Sequence, residues 1–152
     1  MKIYKAEKSD KKAIVRFYKA QHYSASFLGF DQVYYIKEKQ QIIAAMIVSK
    51  INPQHNHHFL HALVVDKLFQ QQGIASKLLQ FALTYHQPLV CFANENLSSF
   101  YIKNCLLKLT NDQIAVEVPE HLLLRFESYR KKHSQLKVFI SPLIDDKTSS
   151  LK

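Results

Sequence analysis

Gly73 is one of only two glycines in the chain, and it lies in the string FQQQGIASKLL between an apolar run ending near Val65 and an apolar-periodic segment starting near Ile74. A helix that opens there presents unpaired backbone N–H groups and a partial positive charge, a combination that attracts anions. Without a Cβ, Gly73 lets a ligand approach that backbone closely, and small Ala75 keeps the entrance open, so the loop suits a phosphate or pyrophosphate. A tight turn that simply needs glycine would leave the same trace. A second concentration of chemistry is His55, His57, His58 and His61. His55 and His57 share one side of an extended chain. No cysteine is near them, however, and zinc sites draw ligands at defined spacing from a rigid frame, so no metal is expected. Cys91 and Cys105 form no CxxC and no staple-like framework, which makes a reduced, cytoplasmic setting the default.

The pattern around these residues predicts the elements that hold them. Lys2–Ala6 reads as a first strand, and Ser9 as the N-cap of a helix over about 10–21 carrying Ile14, Phe17 and Tyr18. Gln32–Ile36 and Gln41–Val48 read as a hairpin turned by the polar KEKQ. Phe59–Val65 is a further strand, interrupted by His61. The helix after Gly73 places Ile74, Leu78, Phe81 and Ala82 on one face. Leu89–Ala93 is a buried-type strand, and Asn94 and Asn96 can cap a short helix reaching Asn104. Strands are expected near Gln113–Val118 and Gln135–Ile140. Between them PEHLLLRFESYRKKH opens with Pro at a first helical position and closes on cations. Strand and helix alternate in the middle with hairpins on either side, which is a mixed α/β sheet.

Gln70-x-x-Gly73-x-Ala75, after a strand and before an amphipathic helix, resembles motif A of the GNAT superfamily, the acyl-CoA-dependent N-acetyltransferases. There Arg or Gln, two residues, Gly, one residue, and Gly or Ala follow a strand ending near a Val, and Leu63, Val65, Gln70, Gly73 and Ala75 occupy the matching positions. The segment ANENLSSFYIKNCL is similar to the family's second motif, an Asn followed seven residues later by a helical Tyr; Asn94 and Tyr101 match it. Cys105 and Leu106 stand where many members have Gly-Phe, and Leu97 where Ala is usual.

The resemblance implies a single N-acetyltransferase domain over residues 1–142, followed by a polar tail at 143–152. Its fold would be a mainly antiparallel mixed sheet flanked by helices, with one parallel strand pair splayed at the cofactor site. It implies acetyl transfer from acetyl-CoA to a primary amine by direct attack; a non-catalytic acyl-CoA-binding or sensing module with the same fold is the alternative. The coenzyme A pyrophosphate would lie on the amides of Gln71, Gln72, Gly73, Ile74 and Ala75, with Gln70 at the start of the cradle. The pantetheine arm would run beside Leu63 and Val65, and Asn94 would belong to the same cofactor site. Tyr101 matches the usual general acid near the sulfur, though an aromatic there could equally fill the helix–sheet core. His61 stands where several members carry a Glu. At its ordinary pKa near about 6.5 it could take a proton directly or through water. It could also be a strand residue at the sheet surface, with a water chain replacing any dedicated base. Direct attack needs no acyl-enzyme, so Cys91 and Cys105 read as buried small apolar residues.

Composition bounds the rest. The chain has 152 residues, 47% of them hydrophobic, enough for one packed domain. No run is long enough for a membrane span, and the charged N-terminal stretch disfavours secretion. The net charge of +9 comes mostly from lysines, with only Arg16, Arg125 and Arg130 as arginines. It suits an anionic ligand, but no helix shows the dense basic face of a nucleic-acid binder, and nucleic acid is disfavoured. The acceptor should meet Gln21–Asp31 and the region around Val118–Ile140. Because Glu117, Glu120, Asp145 and Asp146 are dispersed, polyamines and aminoglycosides are disfavoured. The helix near Glu120–Lys132 either walls the cleft or makes a dimer contact, and a homodimer is an expectation at the level of the family alone.

Overall fold

The computed structural model describes residues 1–25, 27, 30–50 and 56–142. Gly29, His55 and the predicted tail at 143–152 lie outside the described residues. The strands are β1 (Ile3–Lys5), β2 (Gln32–Glu38), β3 (Gln41–Ser49), β4 (His58–Val65), β5 (Leu89–Asn94), β6 (Leu107–Lys108) and β7 (Leu136–Ile140). The helices are α1 (Lys11–Ala20), α2 (Ile74–Tyr85), α3 (Ser98–Lys103), α4 (Asn111–Glu117) and α5 (Glu120–Arg130). The strands form one sheet in the order β1-β2-β3-β4-β5-β7-β6, antiparallel throughout except where β4 meets β5. This is the mixed α/β sheet that the pattern predicts, mainly antiparallel as the resemblance implies.

Strand alternation sorts the core onto two faces. Tyr34 and Ile36 of β2, with Met46 and Val48 of β3, pack against Leu78, Leu79 and Ala82 of α2. The intervening residues Val33, Tyr35, Ala45 and Ile47 turn to Ile14, Phe17 and Tyr18 of α1. Farther along that second face, Phe59, Val90 and Val138 meet Ile114 of α4 and Leu122 and Phe126 of α5.

Three expectations need correction. The segment Gln113–Val118 is not a strand but most of α4. Thr110 caps it, accepting from the Gln113 N–H at 3.3 Å while the Gln113 side chain accepts from the Thr110 N–H at 2.9 Å. A strand would put Ile114, Val116 and Val118 on one face, yet Ile114 and Val118 are buried and Val116 is 83% exposed. Four-residue helical spacing explains that division. Cys105 is exposed rather than buried, at a φ of 71° just past α3. Ser9 lies inside a 3₁₀ turn (Lys8–Asp10), and Asp10 takes the position ahead of α1. The short strand β6 and the 3₁₀ turns have no counterpart in the sequence reading.

Candidate active site

β4 and β5 pair only through His58 with Leu89, Phe59 with Val90 and Leu60 with Cys91. Beyond that point β4 follows β3 to Val65 and β5 follows β7 to Asn94. The strands part, and a cleft of about 940 Å³ opens between His61, Ala62 and Leu63 on one wall and Phe92, Ala93 and Asn94 on the other.

A β-bulge shapes the first wall. Ala45 pairs with Val64 while Ile47 pairs with His61, so Ala62 and Leu63 stand opposite Met46 alone. Ala62 takes a φ of 55°, a left-handed conformation that costs a residue with a Cβ on the order of 1 kcal/mol. A tyrosine holds its carbonyl. Buried Tyr18 of α1 donates from its hydroxyl to the Ala62 carbonyl at 2.7 Å. Tyr23 lines the cleft beside Ala62, near enough for the Ala62 N–H to act on its phenol. Burial pushes the Tyr23 phenol up, Tyr129 adds to this, and the bond from Ala62 pulls it back. The bulge thus interrupts the ladder and sets Ala62 on the cleft wall.

Tyr101 reaches the cleft from α3, its ring stacked on Phe139 at 4.9 Å between centroids. It therefore belongs to the core and to the cleft wall at once. Burial, with Cys91 and Tyr23 adding, drives its pKa above the ordinary tyrosine range. Cys91 is fully buried and its thiol is pushed up by that burial, which suits a small core residue.

His61 faces the cleft with Nε2 3.0 Å from the Ser49 hydroxyl and its ring stacked on Phe59. Its pKa is not the ordinary one: burial lowers it to about 4, with Asp31 opposing and Arg125 adding to the drop. The imidazole is neutral at neutral pH.

Beyond the cleft, the loop after β4 is closed by Gln70, whose side-chain amide donates to the Val65 carbonyl at 3.0 Å. Gln71 and Gly73 both take left-handed conformations, φ 64° and 80°. Lys77 N–H makes the first α2 bond to Gly73 O at 3.0 Å, and the amides from Gln71 to Ala75 meet no acceptor among the described residues. A Cβ at Gly73 would meet no atom within 4 Å apart from its chain neighbours, so the space beside Gly73 is open. The left-handed backbone favours glycine, and the unpaired row of donors fits a pyrophosphate. Asn94 lines the cleft and caps the 3₁₀ turn ahead of α3, accepting from Asn96 N–H at 3.0 Å.

Leu63, Asn94, Tyr101 and His61 thus share one cleft, with the Gln70–Ala75 loop at the far end of β4. The sequence reading did not single out Ala62, Tyr18, Tyr23 or Ser49, nor did it assign Arg125 to the cleft. No Gly or Pro in HFLHALVV marks the bulge. Arg125 had a signal, as one of three arginines and set among apolar residues of a helix. α5 walls the cleft through Arg125 and Tyr129. Among the described residues no group of three or more His, Cys, Asp or Glu is placed to hold a metal, and no helix is long and apolar enough to cross a membrane.

A parallel strand pair that splays beside a bulge, with a helix N-terminus beyond it, is the framework of the GNAT acetyltransferase fold. The model of the acetyltransferase (GNAT) family matches residues 2–103, and the chain belongs to that family. Among solved structures it is similar to N-acetylglutamate synthase from Neisseria gonorrhoeae, complexed with coenzyme A and N-acetyl-glutamate. The TM-score is 0.68 at 13% identity over 95% of this chain and 35% of the synthase chain, so this chain spans about a third of that protein. It is also similar to Escherichia coli ElaA, with a TM-score of 0.67 at 13% identity over 93% and 99% of the two chains. A mutant of the spermidine N-acetyltransferase SpeG from Vibrio cholerae gives 0.65 at 11% identity over 93% and 94%. At such identities the likeness is one of fold. No curated protein sequence matches the chain.

Proposed function

We propose that this protein transfers the acetyl group of acetyl-CoA to a primary amine by direct attack. The observation that carries the reading is the parting of β4 and β5 at the bulge that sets Ala62 on the cleft wall. The amides of Gln71, Gln72, Gly73, Ile74 and Ala75, with Gln70 closing the loop, would hold the pyrophosphate. The pantetheine arm would add to β4 beside Leu63 and Val65, with Asn94 across the cleft. The Ala62 N–H then polarises the thioester oxygen as negative charge develops on it, once Tyr23 yields the position.

The amine nitrogen bonds to the thioester carbon, the carbon–sulfur bond breaks, and the sulfur leaves as thiolate. One proton leaves the amine and one reaches the sulfur. Tyr101 hydrogen-bonds the departing sulfur; with a pKa above that of a thiol it is a weak acid, so it passes a proton to the thiolate only as water replaces its own. His61, neutral above about pH 5, can receive the amine's proton through water. Its low basicity makes it pass the proton on rather than keep it.

Thiol release from acetyl-CoA across an amine panel tests this function. Turnover with at least one amine is expected. Tight coenzyme A binding without turnover on any amine would leave a binding module instead. Homodimer formation, carried over from the family, is tested by light scattering.

A further inference from the structure

Arg125 is a cation of the cleft that acetyl transfer itself leaves without a task. It projects from α5 and is half-buried, with its guanidinium 5.7 Å from the centroid of the Phe59 ring. Phe59 in turn stacks on His61 with 5.2 Å between centroids. The salt bridge of Lys108 with Glu95 lies elsewhere, and what holds the Arg125 guanidinium is the Phe59 ring. Arg125 is not placed for the cofactor phosphates. Phe59 and Val65 lie six residues apart on an extended strand, about 20 Å, and the pyrophosphate cradle begins beyond Val65. Arg125 therefore stands at the acceptor end.

A guanidinium held over an aromatic ring and partly withdrawn from water offers a planar fork of donors, the geometry that carboxylates match. The remaining ionisable neighbours do not suit a polycation. Asp31 is the only acid among the described lining residues, which otherwise include His22, His61 and His133.

We propose that the acceptor is a small amine carrying a carboxylate, an amino acid or a close analogue, with Arg125 holding the carboxylate while the amine faces the parting of β4 and β5. This rests on the proposed acetyl transfer. It makes Arg125 a specificity residue rather than a catalytic one.

The test is thiol release from acetyl-CoA with the common amino acids, each beside its carboxamide, its decarboxylated amine and a phosphorylated amine of similar size. Wild type, Arg125→Gln and Arg125→Lys are compared. The best acceptor should be a free carboxylate, preferred over its own amide by about tenfold or more in kcat/KM, chiefly through KM. Arg125→Gln should shrink that preference to within about twofold, and Arg125→Lys should keep part of it. Preference for the amide, a polyamine or the phosphorylated amine overturns the proposal while leaving acetyl transfer standing. So does an equal loss on acid and amide in Arg125→Gln. Should no amine react, acetyl transfer itself fails. Melting shifts with the same amino acids over saturating desulfo-CoA then decide the carboxylate site. A shift present in wild type and lost in Arg125→Gln upholds the site, and no shift in wild type overturns it.

Discussion

Tyr101 serves two masters, and one substitution separates them. Its ring stacks on Phe139 inside the core, while its hydroxyl side belongs to the cleft and finds no hydrogen-bond partner among the described residues. Tyr101→Phe keeps the ring and should leave the melting temperature nearly unchanged. If the hydroxyl serves the departing sulfur, turnover should fall, within the ~10²–10⁴-fold range of general acid–base contributions, with water limiting the loss. Coenzyme A affinity should hold, because the phosphates lie on other residues. A changed melting temperature with near-normal turnover would return Tyr101 to the core alone. Tyr101, Asn94 and Gly73 were legible in the sequence because type and spacing carry their signal. Ala62 was not, since nothing about an alanine in an apolar strand announces a φ of 55°. Its conformation is set from outside the strand, by Tyr18 forty-four residues away. The same holds for the pKa of His61, which burial decides.

At the scale of elements, the helix N-terminus is the feature that binding should depend on. Gly73 sits in a left-handed conformation with open space where a Cβ would point. Gly73→Ala therefore meets strain without collision and should cost about 1–2 kcal/mol of stability. Gly73→Glu adds the same strain and also sets a carboxylate before the row of amides. Acetyl-CoA should raise the melting temperature of wild type by mass action, and desulfo-CoA nearly as much. Gly73→Glu should abolish both shifts, whereas Gly73→Ala should keep most of them. An undiminished shift in folded Gly73→Glu would remove this loop from the binding site. The elements themselves were mostly legible, because β2, β3, β4, α2 and β5 carry clear periodicity. α4 was misread, although the Thr110–Gln113 capping box stood in the sequence. Alternation of Ile114, Val116 and Val118 suited a strand equally well, and only burial of two of the three shows the helical period.

For the whole molecule, the histidines tie stability to pH in one direction. His58, His61 and His86 all have pKa values lowered chiefly by burial. His58 and His86 lie 5.3 Å apart between ring centroids, so charging either one opposes charging the other. His86 also stands 2.8 Å from the Tyr34 hydroxyl, between the sheet and the end of α2. Each of these histidines binds its proton more readily in the unfolded chain than in the folded one. Stability is therefore whole above the unfolded pKa of about 6.5 and declines as the pH falls below it, because the unfolded state gains protons first. For His61 the decline runs down to its folded value of about 4. At pH 5 that difference removes about 2 kcal/mol, a sizeable share of the stability of an ordinary domain. Urea unfolding at pH 7.5 and pH 5 should show a falling midpoint. His61→Gln, which retains a polar group for Ser49, should lose about 2 kcal/mol less than wild type between the two pH values. Equal losses in the two proteins would mean that His61 charges as easily folded as unfolded. The imidazole would then be solvated, and its claim to pass a proton on rather than hold it would go with the burial that supports it.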